Sequence, residues 1–514
     1  MRIIKRAFGF LFHQTMKTVR RPARLFTILY GFLKTIYRFF RKNLVSISGP
    51  LIAVIALRLP PHLTPKSFDH ILAASYFIKG TILLDGNRPR EAWLYFRRCL
   101  SISTDPRYYF VAAACLLVGL GRYQEAMAIF SRANALRAER AKGLGVAHSP
   151  VRFLESIWYG AFGHLAQIQY LVQLNILENR RREDTIVYVP PYATVANRFL
   201  LEQWRPHLNI IEDPRDLPLS LDALHSLSFD FLAPRLTDGT TAYYWGAAED
   251  AIKRWKGEKR GPVLTFPLDV EARGYSALAA VGIPRGAWFV ALHVRDSASK
   301  QYHADLHNVL NADIVDYLPA IRAITDRGGW VIRLGDPMMT PLPHMPNVFD
   351  YCHSAIRSDW MDVFLLARCR FFLGTSSGPA YVPIIYQVPT VLTNWWPLAQ
   401  RPWDDQAIFI PKLYRYVENG AALTLSRALS EPFGYCNSID QLKKGEGVTV
   451  EDNSPDDIRD ATIEMIERLE RTVAYSADDV RLRESAMRIF VTNGARGTGN
   501  LARDFLRRNK TIVG

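Results

Sequence analysis

The chain has 514 residues, 49% of them hydrophobic and 12% aromatic, with 22% charged side chains. That length and apolar content exclude an intrinsically disordered or disulfide-stapled miniature protein and call for several domains with real cores. The net charge of +15 is unevenly placed: thirteen of the 64 Lys and Arg fall in the first 68 residues, where there is no acid, so the other 51 face all 49 acids and the remainder is nearly balanced.

The basic segment, residues 1–68, reads as membrane-associating. From Arg24 to Arg41 one helical face carries Leu25, Ile28, Leu29, Phe32, Ile36, Phe39 and Phe40, and the other carries Lys34, Arg38 and Arg41. Such an amphipathic helix lies in an anionic membrane surface, each cation adding about 1 kcal/mol of attraction. A solvated basic face is the plain alternative. Leu44 to Leu57 is uncharged but short for a span and is interrupted by Gly49-Pro50. No pattern of a cleaved signal peptide is present. Five widely spaced cysteines, Cys99, Cys115, Cys352, Cys369 and Cys436, fit a reducing cytoplasm, so the expected location is cytoplasmic and peripheral to the inner face of the membrane.

Residues 69–145 read as helical hairpins. Arg90-Glu91-Ala92-Trp93-Leu94-Tyr95-Phe96 recurs as Gln124-Glu125-Ala126-Met127-Ala128-Ile129-Phe130, an offset of 34, which is the tetratricopeptide period. Ala92 and Ala126 permit close helix contact, Phe96 and Phe130 fill the seam, and Gly86 and Gly121 mark turns. Two repeats make either a spacer or a docking surface for a protein partner.

Residues 146–285 read as an α/β unit. Val151 to Trp158 leads through Tyr159-Gly160-Ala161-Phe162-Gly163-His164-Leu165 into a helix, and further strands are expected over Ile186–Pro191 and Leu208–Asp213. The glycine loop makes His164 a candidate general base, since an imidazole near pKa 6.5 suits removal of a hydroxyl proton; a helix cap is the plain reading. Glu155, Glu212 and Asp213 are acids without an assigned role.

Residues 286–472 hold the densest chemistry. Trp288–Leu292 is a fully buried strand that delivers His293-Val294-Arg295-Asp296, and Cys369–Leu373 is another that delivers Gly374-Thr375-Ser376-Ser377-Gly378 ahead of a helix opened by Pro379. Hydroxyls and backbone N–H groups at such a turn can hold a diphosphate while Arg295 neutralises it; a structural salt bridge is the alternative for Arg295. Trp330–Pro337 supplies a third strand ending at Asp336, and Pro389–Asn394 a fourth, with helical patterns between, so the sheet is expected to be parallel. No Walker-type Gly-Lys-Thr occurs. His303, Asp305 and His307 have metal-ligand chemistry but the character of an ordinary polar loop. The amphipathic helix from Pro455 to Leu469 has Ser454 as its N-cap, and residues 473–514 form a helical tail expected to return to the amino-terminal lobe.

The order His293-x-Arg295, a strand ending in Asp336-Pro337, then Asp362 to Ser377 (Asp-Val-Phe-Leu-Leu-Ala-Arg-Cys-Arg-Phe-Phe-Leu-Gly-Thr-Ser-Ser) resembles the donor-site motifs of α1,6- and protein-O-fucosyltransferases and their bacterial relatives. Gly374 to Thr393, with Gln387-Val388-Pro389-Thr390-Val391, is also similar to the nucleotide-binding lobe of heptosyltransferases, and the whole chain resembles a bacterial family of glycosyltransferases. That resemblance implies the GT-B fold, two Rossmann-like lobes with a cleft between them over residues 150 to 470, and an inverting enzyme with no metal and no cofactor. The substrate it implies is a nucleotide-sugar, with a GDP-sugar and GDP-fucose foremost, transferred to a glycan, lipid-linked glycan or protein acceptor. Arg295 would stabilise the leaving diphosphate, His293 and Asp336 would meet base or ribose, and Gly374, Thr375, Ser376 and Ser377 would meet phosphates. Where the family ends its third strand on a Thr-Asp-Asp-like sequence, this chain has Leu334-Gly335-Asp336. Glu431-Pro432-Phe433-Gly434 imitates one glutamate of retaining enzymes without a second, which favours inversion. Two other classes stay open: a non-catalytic adaptor with relic lobes, and a basic-arm nucleic-acid binder, although the expected partners include no nucleic acid.

Overall fold

The computed structural model describes residues 65–146, 151–228, 232–236, 239–296 and 308–513. The basic amphipathic segment, the glycine-proline stretch and the His303, Asp305 and His307 loop lie outside the described residues. The described residues divide into two compact units, 65–86 with 94–103 and 87–93 with the described residues from 104 onward.

Among the described residues, the segment read as helical hairpins holds helices at Pro65–Asp85, Pro89–Leu100, Pro106–Ala114 continued by a wider turn over Cys115–Gly119, and Tyr123–Gly143. In the first unit Phe96 packs on Phe77, ring centroids 6.0 Å apart, and a Cβ on Gly80 would come within 2.6 Å of the Phe96 ring. In the second unit Phe130 meets Phe110 in the same manner at 5.9 Å. The two phenylalanines singled out by the repeat each close onto an aromatic residue of the preceding helix.

Twelve strands are found among the described residues: β1 Arg152–Leu154, β2 Thr185–Tyr188, β3 Asn209–Ile211, β4 Phe289–His293, β5 Trp330–Arg333, β6 Val348–Phe349, β7 Phe371–Thr375, β8 Thr390–Trp395, β9 Ile408–Pro411, β10 Leu413–Tyr416, β11 Val448–Glu451 and β12 Asn500–Leu501. β1, β2 and β3 pair in parallel in that order, where the sequence predicts three strands. Their side chains alternate between two cores, Leu154, Val187 and Ile210 on one face and Phe153, Ile186 and Ile211 on the other, as the period of two requires. β10 and β11 form a separate antiparallel ribbon.

The larger sheet runs β12-β9-β8-β7-β4-β5-β6 and all its pairings are parallel. Its strands read as continuous apolar runs because helices cover both faces; β4, β7 and β8 are buried throughout. From β4 the chain winds outward through β5 to β6, then crosses back to β7 and winds the other way to β9. The reversal therefore falls between β4 and β7, which in doubly wound sheets is where ligands bind, outside the strands' carboxyl ends. One continuous core joins both sheets with the carboxyl-terminal helices.

The helix at the carboxyl side of the sheet starts as expected: Ser454 Oγ accepts the Asp457 N–H with Pro455 in the first turn, and the helix runs Pro455–Glu470. The tail then adds β12 to the edge of the large sheet, and the Gly497 N–H donates to Glu249 of the helix Tyr244–Gly257 at 2.9 Å. All five cysteines are buried, and none is joined in a disulfide. Among the described residues no helix is long and apolar enough to cross a membrane.

Candidate functional site

β4 and β7 lie side by side with His293 in register with Gly374, so the two turns picked out by sequence leave the sheet together at the reversal point. Ser377 Oγ is 2.9 Å from His293 Nδ1. The Arg295 backbone N–H donates to Thr375 Oγ1 at 3.2 Å, and Ser376 Oγ donates to the Trp396 carbonyl, just past the end of β8, at 2.8 Å. His293, Thr375, Ser376 and Ser377 are buried. Of the eight predicted site residues, His293, Arg295, Gly374, Thr375, Ser376 and Ser377 are thus brought into one cluster.

The amino-terminal glycine loop reaches the same cluster. A Cβ on Gly163 would lie 2.7 Å from Gly378 Cα, and one on Gly378 would lie 2.8 Å from Gly163 N. Two backbones meet there with no room for a side chain, which explains why both positions are glycine. His164, the next residue, opens the helix Phe162–Leu177, and its Nδ1 lies 2.9 Å from the Ile157 carbonyl. Burial pushes its pKa below the usual histidine value. Asp336 stands apart from the cluster's hydrogen bonds: its carboxylate accepts the Met338 N–H at 2.9 Å and so closes its own turn. The adjoining loop is tied to the β4 turn through Asp296 Oδ2, which accepts the Thr340 N–H at 2.9 Å.

The electrostatics favour an anion. Arg295 is half-buried, donates from Nε to Asn311 Oδ1 at 3.1 Å, and has its pKa lowered by burial. The salt bridge that would make it structural is not found: no carboxylate lies within ion-pair reach of Arg295 among the described residues. Two cations that sequence reasoning passes over reinforce it. Lys412, at the end of β9 and 3% exposed, donates to the Asn311 carbonyl at 3.2 Å and pairs with Asp452. Arg333 on β5 is fully buried, and its Nε and Nη2 have no hydrogen-bond partner among the described residues. The available signal was a single cation inside an apolar run, Ile408-Phe409-Ile410-Pro411-Lys412 and Val331-Ile332-Arg333-Leu334. Because a buried charge is costly unless something answers it, such residues mark functional or structural polar networks.

His293 registers this field. Burial, then Arg333 and Arg295, push its pKa down to about 4, so the ring is neutral in the folded protein near pH 7. The unfolded chain takes up that proton near pH 6.5. Between those values the unfolded state binds more protons, so stability falls as pH is lowered from about 6.5 to about 4. In urea unfolding, wild type should lose up to about 3 kcal/mol over that interval relative to His293→Asn, which has nothing to titrate there. Parallel pH profiles for the two proteins would contradict the assignment.

Glu155 and Asp213 are committed locally, and so is Glu431. Glu155 pairs with His225 at 3.4 Å, Asp213 holds Arg215, and Glu431 Oε1 accepts the Gln124 N–H at the start of the helix Tyr123–Gly143. Glu431 therefore serves as a helix anchor.

Neither a protein-family model nor a curated protein matches this chain. Among solved structures it is similar to a glycosyl transferase family 9 protein from Veillonella parvula DSM 2008, with 10% identity and a TM-score of 0.38, covering 63% of this chain and 98% of that one. It is also similar to the dodecameric iron-containing heptosyltransferase TibC in complex with ADP-D-β-D-heptose, with 14% identity and a TM-score of 0.28, covering 48% of this chain and 58% of that one. A second TibC structure, from enterotoxigenic E. coli H10407, gives 14% identity and a TM-score of 0.27 over 47% of this chain and 57% of that one. At these scores the likenesses carry no argument of their own, and the functional reading rests on the residues.

Proposed function

We propose that this chain is a glycosyltransferase that holds the diphosphate of a nucleotide sugar at the β4–β7 junction. The observation that carries this is the meeting of the two turns at the point where the sheet order reverses, with Ser377 on His293, Thr375 on the Arg295 backbone, and beside them a guanidinium that has no carboxylate partner among the described residues. Backbone N–H groups and hydroxyls at such a junction suit phosphate oxygens, and Arg295 suits the charge they gather.

In the reaction an acceptor hydroxyl attacks the anomeric carbon. Its oxygen bonds to that carbon, the bond from the carbon to the diphosphate oxygen breaks, and the nucleoside diphosphate leaves with the electron pair. The hydroxyl proton passes to a base. His164 is the candidate, with Nε2 as the accepting nitrogen because Nδ1 is directed at the Ile157 carbonyl. Arg295 lowers the barrier by meeting charge that is larger in the transition state than in the bound donor. The residues carry over from the fucosyltransferase motifs as a two-lobed, inverting reaction whose chemical step uses no metal, with a GDP-sugar as the leading donor. A glycan, lipid-linked glycan or protein is the acceptor, and the basic amino-terminal segment holds the enzyme at the inner membrane surface. The helical hairpins serve as spacer or as a protein-docking face.

The test is thermal unfolding of the full chain with GDP, UDP, ADP and CMP at matched concentrations. One nucleotide should stabilise wild type, by about 2.7 kcal/mol at a hundredfold excess over its Kd, and should leave Arg295→Ala unshifted. No shift with any nucleotide would favour a non-catalytic adaptor.

A further inference from the structure

A second cluster, on the turn that follows β6, has the makings of a metal site. Asp350 Oδ1 lies 3.0 Å from Cys352 Sγ, Cys352 Sγ lies 3.3 Å from His353 Nδ1, and His353 Nδ1 lies 3.0 Å from Asp350 Oδ2. The three groups thus bring their ligand atoms within 4.8 Å of one another. What sets this cluster apart from scattered polar side chains is convergence: a carboxylate, a thiol and an imidazole nitrogen all point at one another, while His353 Nε2, 3.1 Å from the Pro337 carbonyl, is held away on the far side of the ring. A cation among them would meet all three ligand atoms.

We infer that Asp350, Cys352 and His353 bind a divalent transition ion of zinc's class, with the Cys352 thiol releasing its proton to solvent as the thiolate bonds to the ion. A thiolate, an imidazole and a carboxylate together select zinc-like ions over magnesium or calcium, and zinc sites with three protein ligands keep a fourth position for water. The carbonyl on the far nitrogen of His353 is the outer contact that fixes the tautomer of metal-bound histidines. Cys352 is buried while His353 is exposed, so the site has an inner anchor and an entry side. Arg333 Nη1 lies 3.5 Å from Asp350 Oδ1 and 3.6 Å from Cys352 Sγ. With two anionic ligands against that one cation the set stays net negative, and a divalent ion is still attracted.

The ion would act as a brace. Asp350 Oδ2 accepts the Leu342 N–H at 3.0 Å, His353 holds the Pro337 carbonyl, and Arg333 donates to the Thr340 carbonyl at 2.6 Å. Together these fix the loop from Asp336 to Leu342, whose Thr340 is tied to Asp296 in the turn after β4. The site follows β6, two strands from β4, no step of the transfer runs through it, and it stands or falls independently of that reaction.

The experiment is titration of the chelator-treated full chain with Co2+, read as thiolate-to-cobalt charge-transfer absorption, with Zn2+ as competitor. Wild type should saturate at one ion per chain, and Zn2+ should displace the cobalt. Cys352→Ser should abolish the band, while His353→Ala and Asp350→Asn should weaken binding at least tenfold, since losing even an outer-shell contact costs about 10–100-fold. Cys99→Ala should behave as wild type. His353 is at the surface, so its variant folds and decides the matter even if Cys352→Ser does not. No band in wild type, an undiminished band in Cys352→Ser, or undiminished affinity in His353→Ala would each overturn the assignment.

Discussion

Arg295→Ala is expected to lower sugar transfer by about 10²–10³-fold, chiefly in kcat, while leaving the urea midpoint close to that of wild type. The size follows from the surroundings of the guanidinium. It is half-buried, its side chain donates to the neutral Asn311, and burial already destabilises its charge. A cation held in that state, with no carboxylate partner among the described residues, has its electrostatic capacity directed at whatever binds beside it, and a leaving diphosphate gathers charge only as the glycosidic bond breaks. A preorganised donor of this kind is worth several kcal/mol in the transition state and much less in the ground state. The structural cost of removal is one hydrogen bond, about 1 kcal/mol. Arg295→Lys keeps the charge but loses the two-pronged donor and should fall between wild type and alanine. Equal losses of stability and activity in Arg295→Ala would return the residue to a structural role.

Gly374→Ala is expected to be the most disruptive small substitution in the sheet, destabilising the fold by about 3 kcal/mol. A Cβ there would sit 2.3 Å from the His293 carbonyl oxygen and 2.7 Å from the Phe372 ring. The first obstacle is backbone on the neighbouring central strand, which cannot yield without parting β4 from β7 and pulling His293 off Ser377. By contrast a Cβ on Gly143, at the end of the helix Tyr123–Gly143, would meet nothing within 4 Å among the described residues, and Gly143→Ala should be neutral or slightly stabilising. Urea unfolding of both variants gives the comparison. A Gly374→Ala midpoint equal to wild type would show that the two strands are not tightly apposed at this point.

The elements that position the site were legible because they are long and apolar. Phe289–His293 and Phe371–Thr375 are unbroken hydrophobic runs, which a helix-covered parallel sheet demands, and each ends in residues whose chemistry is out of place inside a core. β6 and β12 were not legible. Each has two residues, too few for any periodicity, and exists only because β5 and β9 offer an edge to pair with. Arg333 and Lys412 were missed for a different reason: their importance lies in burial, and burial is a tertiary fact. The backbone contacts of Asp336 with the Met338 N–H and of His164 Nδ1 with the Ile157 carbonyl were not legible either, because residue type and strand-end position say nothing of them. The helical character of residues 65–143 was legible in the sequence, and Phe96 and Phe130 each meet an aromatic residue on the preceding helix.

Whether the β4–β7 junction binds a nucleoside diphosphate is tested most directly by hydrogen exchange of the full chain with and without the stabilising nucleotide. Added protection is expected to concentrate in two stretches, residues 293–296 and 374–378, and to be lost in Arg295→Ala. Protection located elsewhere in the chain, with both turns unchanged at saturating nucleotide, would contradict a donor site at this junction.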